Sequence, residues 1–221
     1  MAVIKSFEKW KTQEVENTFG VSQQKQMPLL EKWLAAHYDA PEMEKIMLNK
    51  LKDKLLDFIE FYNEADISMF FISHVLTIID FVQEKYRAYN QLPLKQKLKD
   101  IQGKEIEVGG IVEMLVARGK QIPETPFFFL NEYKPEKRTG SESDPKGQLL
   151  IAMLAAQAKN QDEFPIYGCY VNGRNWHFVV LEGKSYAVSN AYNATDNDIF
   201  QIYSILMEVK RYIHLRLNLP F

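Results

Sequence analysis

The chain has 221 residues, a net charge of −2, 46% hydrophobic residues and 25% charged residues. These values are typical of a globular protein with one large domain or two small ones, and they exclude a protein that binds nucleic acid through a strongly basic overall charge. The single cysteine, Cys169, excludes an internal disulfide and a zinc site made of cysteines. Any contact with nucleic acid must therefore come from a local surface.

The chain shows no sign of export or membrane insertion. Residues 1–9 are polar and lack the apolar region of a secretory signal, and no apolar stretch is long enough to span a bilayer. We therefore expect a cytoplasmic protein with no membrane partner.

The first part of the chain is predicted to be helical. A short helix is expected over residues 28–38, an amphipathic helix over 42–62 and a largely apolar, buried helix over 66–89. We interpret residues 1–62 as a helical extension packed on a core domain of residues 63–221. The extension is rich in methionine and aromatic residues and could serve as a homodimer surface.

Strand patterns begin after a lysine-rich segment. Strands are predicted over residues 104–108 and 111–117, with an interruption at Gly109-Gly110, and over the aromatic run 127–134. A charged stretch, 135–144, is expected to be a mobile loop.

The second half predicts a helix, three strands and a final helix. Asp144 is suited to be a helix N-cap with Pro145 at the first helical position, and this helix should reach about Asn160. Three strands are expected over 165–171, 175–181 and 184–189, because turn dipeptides separate them. The last helix should start at Asp196 or Asn197. The fold class is α/β (α+β), with a central mixed sheet flanked by helices.

The strongest candidate site lies at the end of the aromatic strand. An acid-x-Lys pattern occurs four times, beginning at Glu132, Asp144, Glu182 and Glu208. Only Glu132 ends an apolar strand, and alternation puts Glu132 and Lys134 on one face with Tyr133 on the other. A carboxylate and an ammonium in this position can hold a divalent cation and a water molecule, which is the chemistry that cuts phosphodiesters.

A second acid lies within reach of this strand. Glu113 interrupts an otherwise apolar strand, where a charge is costly unless it is paired or bound to a metal. If strands 111–117 and 127–134 pair as a hairpin, the carboxylates of Glu113 and Glu132 converge.

This arrangement resembles the PD-(D/E)XK nuclease superfamily, whose restriction-endonuclease-like core runs helix, three strands, helix, strand. The resemblance implies that Glu113 is the acid of the second core strand, that Glu132 and Lys134 are the Glu-x-Lys pair, and that Gln148 is the polar residue of the following helix. The stretch 109–189 is also similar to a group of short bacterial proteins that share Phe-Phe-x-x-Glu-x-Lys and Asp-Pro-Lys-Gly-Gln-Leu-Leu. The resemblance covers roughly residues 60–212.

The resemblance implies a metal-dependent nuclease. Glu113, Glu132 and the carbonyl of Tyr133 would bind Mg²⁺, or Mn²⁺ in its place, while Lys134 orients the attacking water and Gln148 positions water or backbone. The superfamily usually has Asp at the position of Glu113. A further acid often lies on the first core helix, and Glu64 and Asp66 both remain open for that position.

Two interpretations of function follow. One is a Mg²⁺-dependent nuclease acting on DNA or RNA, of which DNA is the more expected partner. The alternative is an inactive protein of the same fold that binds nucleic acid or another protein, in which Glu132 and Lys134 form only a structural ion pair.

Two further sets of residues are weaker candidates for contact with nucleic acid. A surface that contacts phosphate could form from a set of basic residues, Lys95, Lys97, Lys99, Lys137, Arg138 and Lys146. Trp176 and Phe178 could stack on bases, but their alternation in a strand favours core packing.

Overall fold

The computed structural model describes residues 4–136 and 144–221. Most of these residues lie in regular elements. The helices are α1 Thr12–Phe19, α2 Pro28–Leu34, α3 Glu42–Phe58, α4 Glu64–Ile67, α5 Ser73–Ile79, α6 Pro145–Asn160 and α7 Asp198–Leu217. The strands are β1 Lys5–Ser6, β2 Ser22–Gln23, β3 Tyr86–Lys99, β4 Glu105–Arg118, β5 Glu124–Lys134, β6 Ile166–Asn172, β7 Asn175–Glu182, β8 Ser185–Val188 and β9 Tyr192–Asn193.

A mixed sheet, with nine strands in the described ranges, forms the centre of the molecule. Its order is β1-β4-β5-β6-β7-β8-β2, with β3 beside β4 and β9 beside β7. Strands β3, β4 and β5 are successively antiparallel, β6 is parallel to β5, and β7 and β8 are again antiparallel. Helix α6 supplies the crossover that a parallel pair requires. The expected mixed α/β fold with helices flanking a large sheet is confirmed at this level.

Each face of the sheet carries its own apolar core. One core packs α2, α3, α5 and α7 on the sheet around Trp33 and Trp176. The other packs α1 and α6 on the opposite face around Trp10. Trp176 and Phe178 are both completely buried, so the core-packing interpretation of these two residues is confirmed.

The N-terminal segment is part of the sheet. β1 pairs in parallel with β4, and β2 pairs in parallel with β8. The 3₁₀ turn Phe7–Lys9 follows β1, and a Cβ on Gly110 would lie 2.9 Å from the Phe7 ring. The sheet thus takes strands from both sides of the domain boundary expected at residue 62.

The helix predicted over residues 66–89 is wrong beyond Ile79. The helical stretch from Glu64 continues through a π-helical turn, Ser68–Ile72, and then α5, and it ends where Asp80 adopts a left-handed conformation at φ 58°. From Tyr86 the chain forms strand β3, which pairs with β4 over almost its whole length. The apolar run continued across this change of structure, and apolar content alone does not distinguish a buried helix from a buried strand.

The lysine-rich segment and the predicted strand break also need correction. β4 runs without interruption through Gly109-Gly110, because Ser6 of β1 and the β3 chain lie against these residues. Lys95 forms an ion pair with Glu107 at 2.9 Å, and Lys97 forms one with Glu105 at 3.3 Å. These two lysines are therefore cross-strand partners of acids. Lys137, Arg138 and most of the expected loop lie outside the described residues.

Elements after Asp144 are placed as predicted. Asp144 caps α6 by accepting a hydrogen bond from the Gly147 amide at 2.9 Å, and Pro145 is the first helical residue. Strands β6, β7 and β8 follow in the expected order, and α7 starts after Asn197. Within the described ranges, every helix is too short or too polar to cross a membrane.

Candidate active site

Glu132 and Lys134 lie at the C-terminal end of β5, on the face that α6 covers. Glu132 is 7% exposed, and one of its carboxylate oxygens lies 2.9 Å from the Lys134 Nζ. The side chain of Lys134 is 14% exposed. The pair is therefore largely shielded from water, where the attraction between the two charges is stronger than on an open surface.

Glu64 is the second acid that contacts Lys134. Its two carboxylate oxygens lie 3.3 and 3.4 Å from the Lys134 Nζ. Asp66 instead accepts a hydrogen bond from the Asn63 amide at 3.1 Å, while the Asn63 side chain caps the Asp66 amide. This capping box fixes the start of α4 and turns Glu64 towards β5. Of the two acids left open by the sequence, Glu64 is the one near Glu132 and Lys134.

Glu113 reaches the same site from β4. The β4–β5 ladder pairs Met114 with Asn131, so Glu113 lies one position beyond this pair, beside Glu132. Its carboxylate accepts a short hydrogen bond from the Gln91 side chain, which comes from an irregular point of β3 where Gln91 has φ 52°. The hairpin expected from the sequence is present, and it brings the two carboxylates to one region.

Gln148 completes the set from the first turn of α6. It is 3% exposed, and its side-chain nitrogen donates to the Glu8 carbonyl at 3.4 Å. Glu113, Glu132, Lys134 and Gln148 line one small cleft. All four side chains predicted to form the site are thus brought together.

Tyr133 lies on the other face of the strand, as alternation requires. Its ring is buried in the core beneath α4, and its hydroxyl accepts a hydrogen bond from Ser68 at 3.0 Å. Because Ser68 begins the π-helical turn, this contact ties the helix that carries Glu64 to the strand that carries Glu132.

Two carboxyl groups of the cleft have raised pKa values. Burial raises the pKa of Glu132 to about 7, the nearby charges of Glu113 and Glu64 add to that effect, and Lys134 opposes it. Burial also raises the pKa of Glu113, with Glu64 contributing. Burial alone would lower the pKa of Lys134, but its two acidic partners reverse the sign and raise it.

The donor set suits a hard divalent cation in charge and in chemistry. Three carboxylates face one ammonium, which leaves an excess of negative charge in a partly buried cleft, and oxygen ligands are those that Mg²⁺ prefers. Lys134, however, lies between two of the carboxylates. Across residues 4–136 and 144–221, no three acidic, histidine or cysteine side chains are arranged to hold a metal ion.

Sequence reasoning missed three residues that line the cleft. Phe7 and Glu8 come from the N-terminal segment, which no local pattern connects to the site. Asn131 precedes Glu132, is completely buried, and has no hydrogen-bond partner for either side-chain amide atom within the described structure. A buried, unpaired amide is uncommon and costs stability, so it marks a strained or functional position.

Comparisons with known proteins give no family for this chain: no family model matches it, and no curated protein matches it. The functional interpretation therefore depends on the cleft itself.

Proposed function

We propose that this cleft is the active site of a Mg²⁺-dependent nuclease that hydrolyses phosphodiester bonds of DNA or RNA. The observation that carries the proposal is the buried pair of Glu132 and Lys134, joined by Glu113 and Glu64 from two other elements. Perturbed carboxylates grouped around a lysine in a cleft are typical of functional sites.

The order of the elements supports the same proposal. A helix, three antiparallel strands, a helix and a strand parallel to the third follow one another from α5 to β6. That is the order implied by the resemblance to the PD-(D/E)XK superfamily. The acids then lie on the second and third of these strands, at the positions that the resemblance requires.

Each residue of the cleft has its own role in this proposal. Lys134 presents an ammonium that can orient an attacking water and stabilise the negative charge that grows on the phosphate. Glu132 holds that ammonium in place, and Glu64 holds it from the other side. Gln148 anchors the backbone of Glu8 and so closes the wall of the cleft.

Glu132 and Glu113 are the residues that would hold the cation, with Glu64 nearby. When bound, Mg²⁺ would polarise the phosphate and lower the pKa of its bound water. Because Glu132 has a raised pKa, binding must remove a proton from it, and the apparent affinity for the metal should rise with pH up to about 7.

The proposal is tested by Mn²⁺ calorimetry and by a cleavage assay on single- and double-stranded nucleic acid. We expect the wild type to bind Mn²⁺ and to cut, and Glu132→Gln to weaken metal binding about 10-fold or more and to stop cleavage. Lys134→Met should stop cleavage too, because the charge that stabilises the phosphate is lost.

The chain offers a matched control. Glu182 and Lys184 have the same spacing but lie at an exposed hairpin turn, where Lys184 donates to the Phe19 carbonyl at 2.9 Å. Glu182→Gln should leave metal binding and cleavage unchanged. Cleavage that survives in Glu132→Gln, or an equal loss in Glu182→Gln, would count against the assignment of this site.

A second candidate is a protein of the same fold that binds its partner without cutting. It is favoured by one observation: Lys134 is already bonded to two carboxylates, so the charges can satisfy one another without a cation. A wild type that binds no Mn²⁺, with or without nucleic acid, would support this candidate.

A further inference from the structure

A second cavity lies at the opposite edge of the sheet from the cleft. Its volume is about 520 Å³, which is within the range of about 300–1,000 Å³ typical of small-molecule sites. Its walls include Phe128 and Tyr167, which are near the starts of the parallel strands β5 and β6. Glu132 and Lys134 are instead at the end of β5, so the two sites are separate.

Helix α7 gives this cavity a wall that is apolar except at one position. Four residues of α7 line the cavity at the spacing of one helix face: Val209, Tyr212, Ile213 and Arg216. The last position of such a stripe would ordinarily be apolar, but Arg216 lies there, and its side chain is only 11% exposed. Among the described residues that line the cavity, Arg216 is the one with a charge.

Two aromatic rings hold the Arg216 guanidinium at the cavity. Its carbon atom lies 4.5 Å from the centroid of the Phe164 ring and 5.4 Å from that of the Phe128 ring, and both rings line the cavity. A guanidinium is weakly hydrated and stacks on aromatic faces, so these contacts stabilise the charge where little water reaches it. Burial lowers the pKa of Arg216 and Asp162 opposes that effect, but the group stays protonated at neutral pH.

Asp162 is the acid that pairs with Arg216. It lies in the turn after α6, where its Oδ2 accepts from the Arg216 Nη2 and its Oδ1 accepts from the Phe164 amide at 3.1 Å. The Asp162 side chain is partly exposed, so water reaches this ion pair from outside. The contact uses one nitrogen of a guanidinium that has five N–H donors, and the remaining donors can bind a second carboxylate.

The mouth of the cavity is also apolar. Phe164 and Leu215 both line the cavity and are both more than half exposed, which places them where the cavity meets solvent. Exposed apolar side chains beside an apolar cavity are typical of a binding site. A ligand with an apolar body would cover these two side chains and remove their surface from water, which favours binding.

We propose that this cavity binds an apolar monocarboxylate, such as a fatty acid, with its chain against the apolar walls and its carboxylate on Arg216. The apolar walls favour any apolar molecule, and the single guanidinium selects an anion, because arginine binds a carboxylate through paired N–H donors. The inference goes beyond the proposed function and does not depend on it, since no described residue lines both the cavity and the cleft.

The test is isothermal titration calorimetry of the full chain with decanoate at neutral pH, because the flexible chain of decanoate can adapt to the shape of the cavity. We expect the wild type to bind decanoate. It should bind 1-decanol, which has the same chain without the charge, about 10- to 100-fold more weakly. Arg216→Met should weaken the binding of decanoate by about the same factor and leave that of decanol nearly unchanged.

Three further variants test the position of the ligand. Asp162→Asn removes the competing negative charge and keeps an oxygen for the Phe164 amide, so decanoate should bind about 2- to 5-fold more tightly. Phe164→Ala removes part of the apolar wall and should weaken decanoate binding about 3- to 10-fold. Lys32→Met is the matched control, because this exposed lysine of α2 does not line the cavity, and it should leave binding unchanged.

Several outcomes would overturn the inference. They are no binding of decanoate by the wild type, equal affinities for decanoate and decanol, and decanoate binding that is no tighter in Asp162→Asn. An equal loss of decanoate binding in Lys32→Met and Arg216→Met would show a general attraction to positive charge and would also overturn it. If Arg216→Met does not fold, the comparison with decanol and the Asp162→Asn variant still decide the question.

Discussion

Glu132 is held in a place where a carboxylate is costly. Its side chain is 9% exposed, and it has one close cationic partner, Lys134, which it shares with Glu64. A buried ion pair of this kind adds little net stability, but removal of one partner leaves the other buried and uncompensated. The pair is therefore better explained by a functional role than by a contribution to the stability of the fold.

The first prediction concerns removal of each partner in turn. Lys134→Met should lower the free energy of unfolding by about 1–3 kcal/mol near pH 8, because Glu132 then has to be buried without its cation or take up a proton. The Glu132→Gln change in the same chain should restore much of the loss, so the double-mutant cycle gives a clear coupling energy. Urea unfolding of the four proteins measures it. Additive losses would show that the two charges do not depend on each other.

The second prediction is the pH dependence that Glu132 produces. Its pKa is 4.5 in the unfolded chain and is raised to about 7 in the fold, so the folded state holds the proton longer. The stabilisation by this group is complete below pH 4.5 and is lost as the pH rises towards 7, and it is absent above that.

The change should be on the order of 3 kcal/mol when the metal-free wild type is compared with Glu132→Gln. Thermal or urea unfolding at a series of pH values in EDTA gives the difference between the two proteins, in which the other titrating groups cancel. A difference that stays constant from pH 5 to pH 8 would contradict a Glu132 pKa of about 7.

At the scale of single elements, helix α6 depends on a close contact with the N-terminal segment. Asp144 accepts hydrogen bonds from the amide and the hydroxyl of Thr12, both at 2.7 Å, in addition to its cap on Gly147. A Cβ on Gly147 would lie 2.6 Å from the Thr12 nitrogen and 2.7 Å from the Trp10 carbonyl. Two backbones therefore pass each other at a distance that only glycine allows.

The third prediction is that Gly147→Ala destabilises the protein by about 1–3 kcal/mol or more. Ala usually stabilises a helix relative to Gly, so the expected sign is the reverse of helix propensity and follows only from the contact with Thr12. Lys159→Ala, at an exposed position of the same helix, should change stability by no more than about 0.5 kcal/mol. Differential scanning calorimetry of both variants tests this prediction. A stabilising Gly147→Ala change would show that the N-terminal segment moves away from α6 without cost.

The elements that could be predicted from sequence are those with local signals at both ends. α6 has a cap residue and a proline at its start, and β6, β7 and β8 are separated by turn dipeptides. Strand β3 could not be predicted in the same way, although Leu94 and Leu98 share one face and Lys95, Lys97 and Lys99 the other. Its first residues continue the apolar run of α5, and its pairing with β4 is a tertiary contact that no local pattern specifies.

The candidate site is likewise predictable only where its residues have a local sequence signal. Glu132 and Lys134 could be predicted because one strand presents both, and Gln148 because the helix start is clear. Glu64 could not be chosen over Asp66, since that choice depends on which side chain caps α4 and which reaches β5. Glu8 had no local signal at all, because it enters the cleft through the pairing of β1 with β4.

At the scale of the whole molecule, the N-terminal residues are connected to both faces of the sheet. Trp10 packs on Phe19 with centroids 5.4 Å apart and belongs to the core beside α6. Trp33 of α2 lies on the other face, with its ring 4.8 Å from that of Tyr167 and its indole N–H donating to the Ile205 carbonyl at 2.9 Å. The Trp33 contacts therefore join the N-terminal residues to β6 and α7.

The last prediction follows from this arrangement, because the three tryptophans report on three parts of the molecule. Trp10 lies in the core beside α6, Trp33 in the core beside α7, and Trp176 in the middle of the sheet, and all three are at most 2% exposed. We expect variants that keep one tryptophan each, with the other two changed to Phe, to unfold in urea with coincident transitions within each protein by fluorescence and by circular dichroism. Such coincidence would mean that residues 1–62 and the sheet unfold as one cooperative unit. A Trp33 signal that changes at lower urea than the circular dichroism of the same variant would instead show that the N-terminal helices detach first, as an extension packed on an independent core would do.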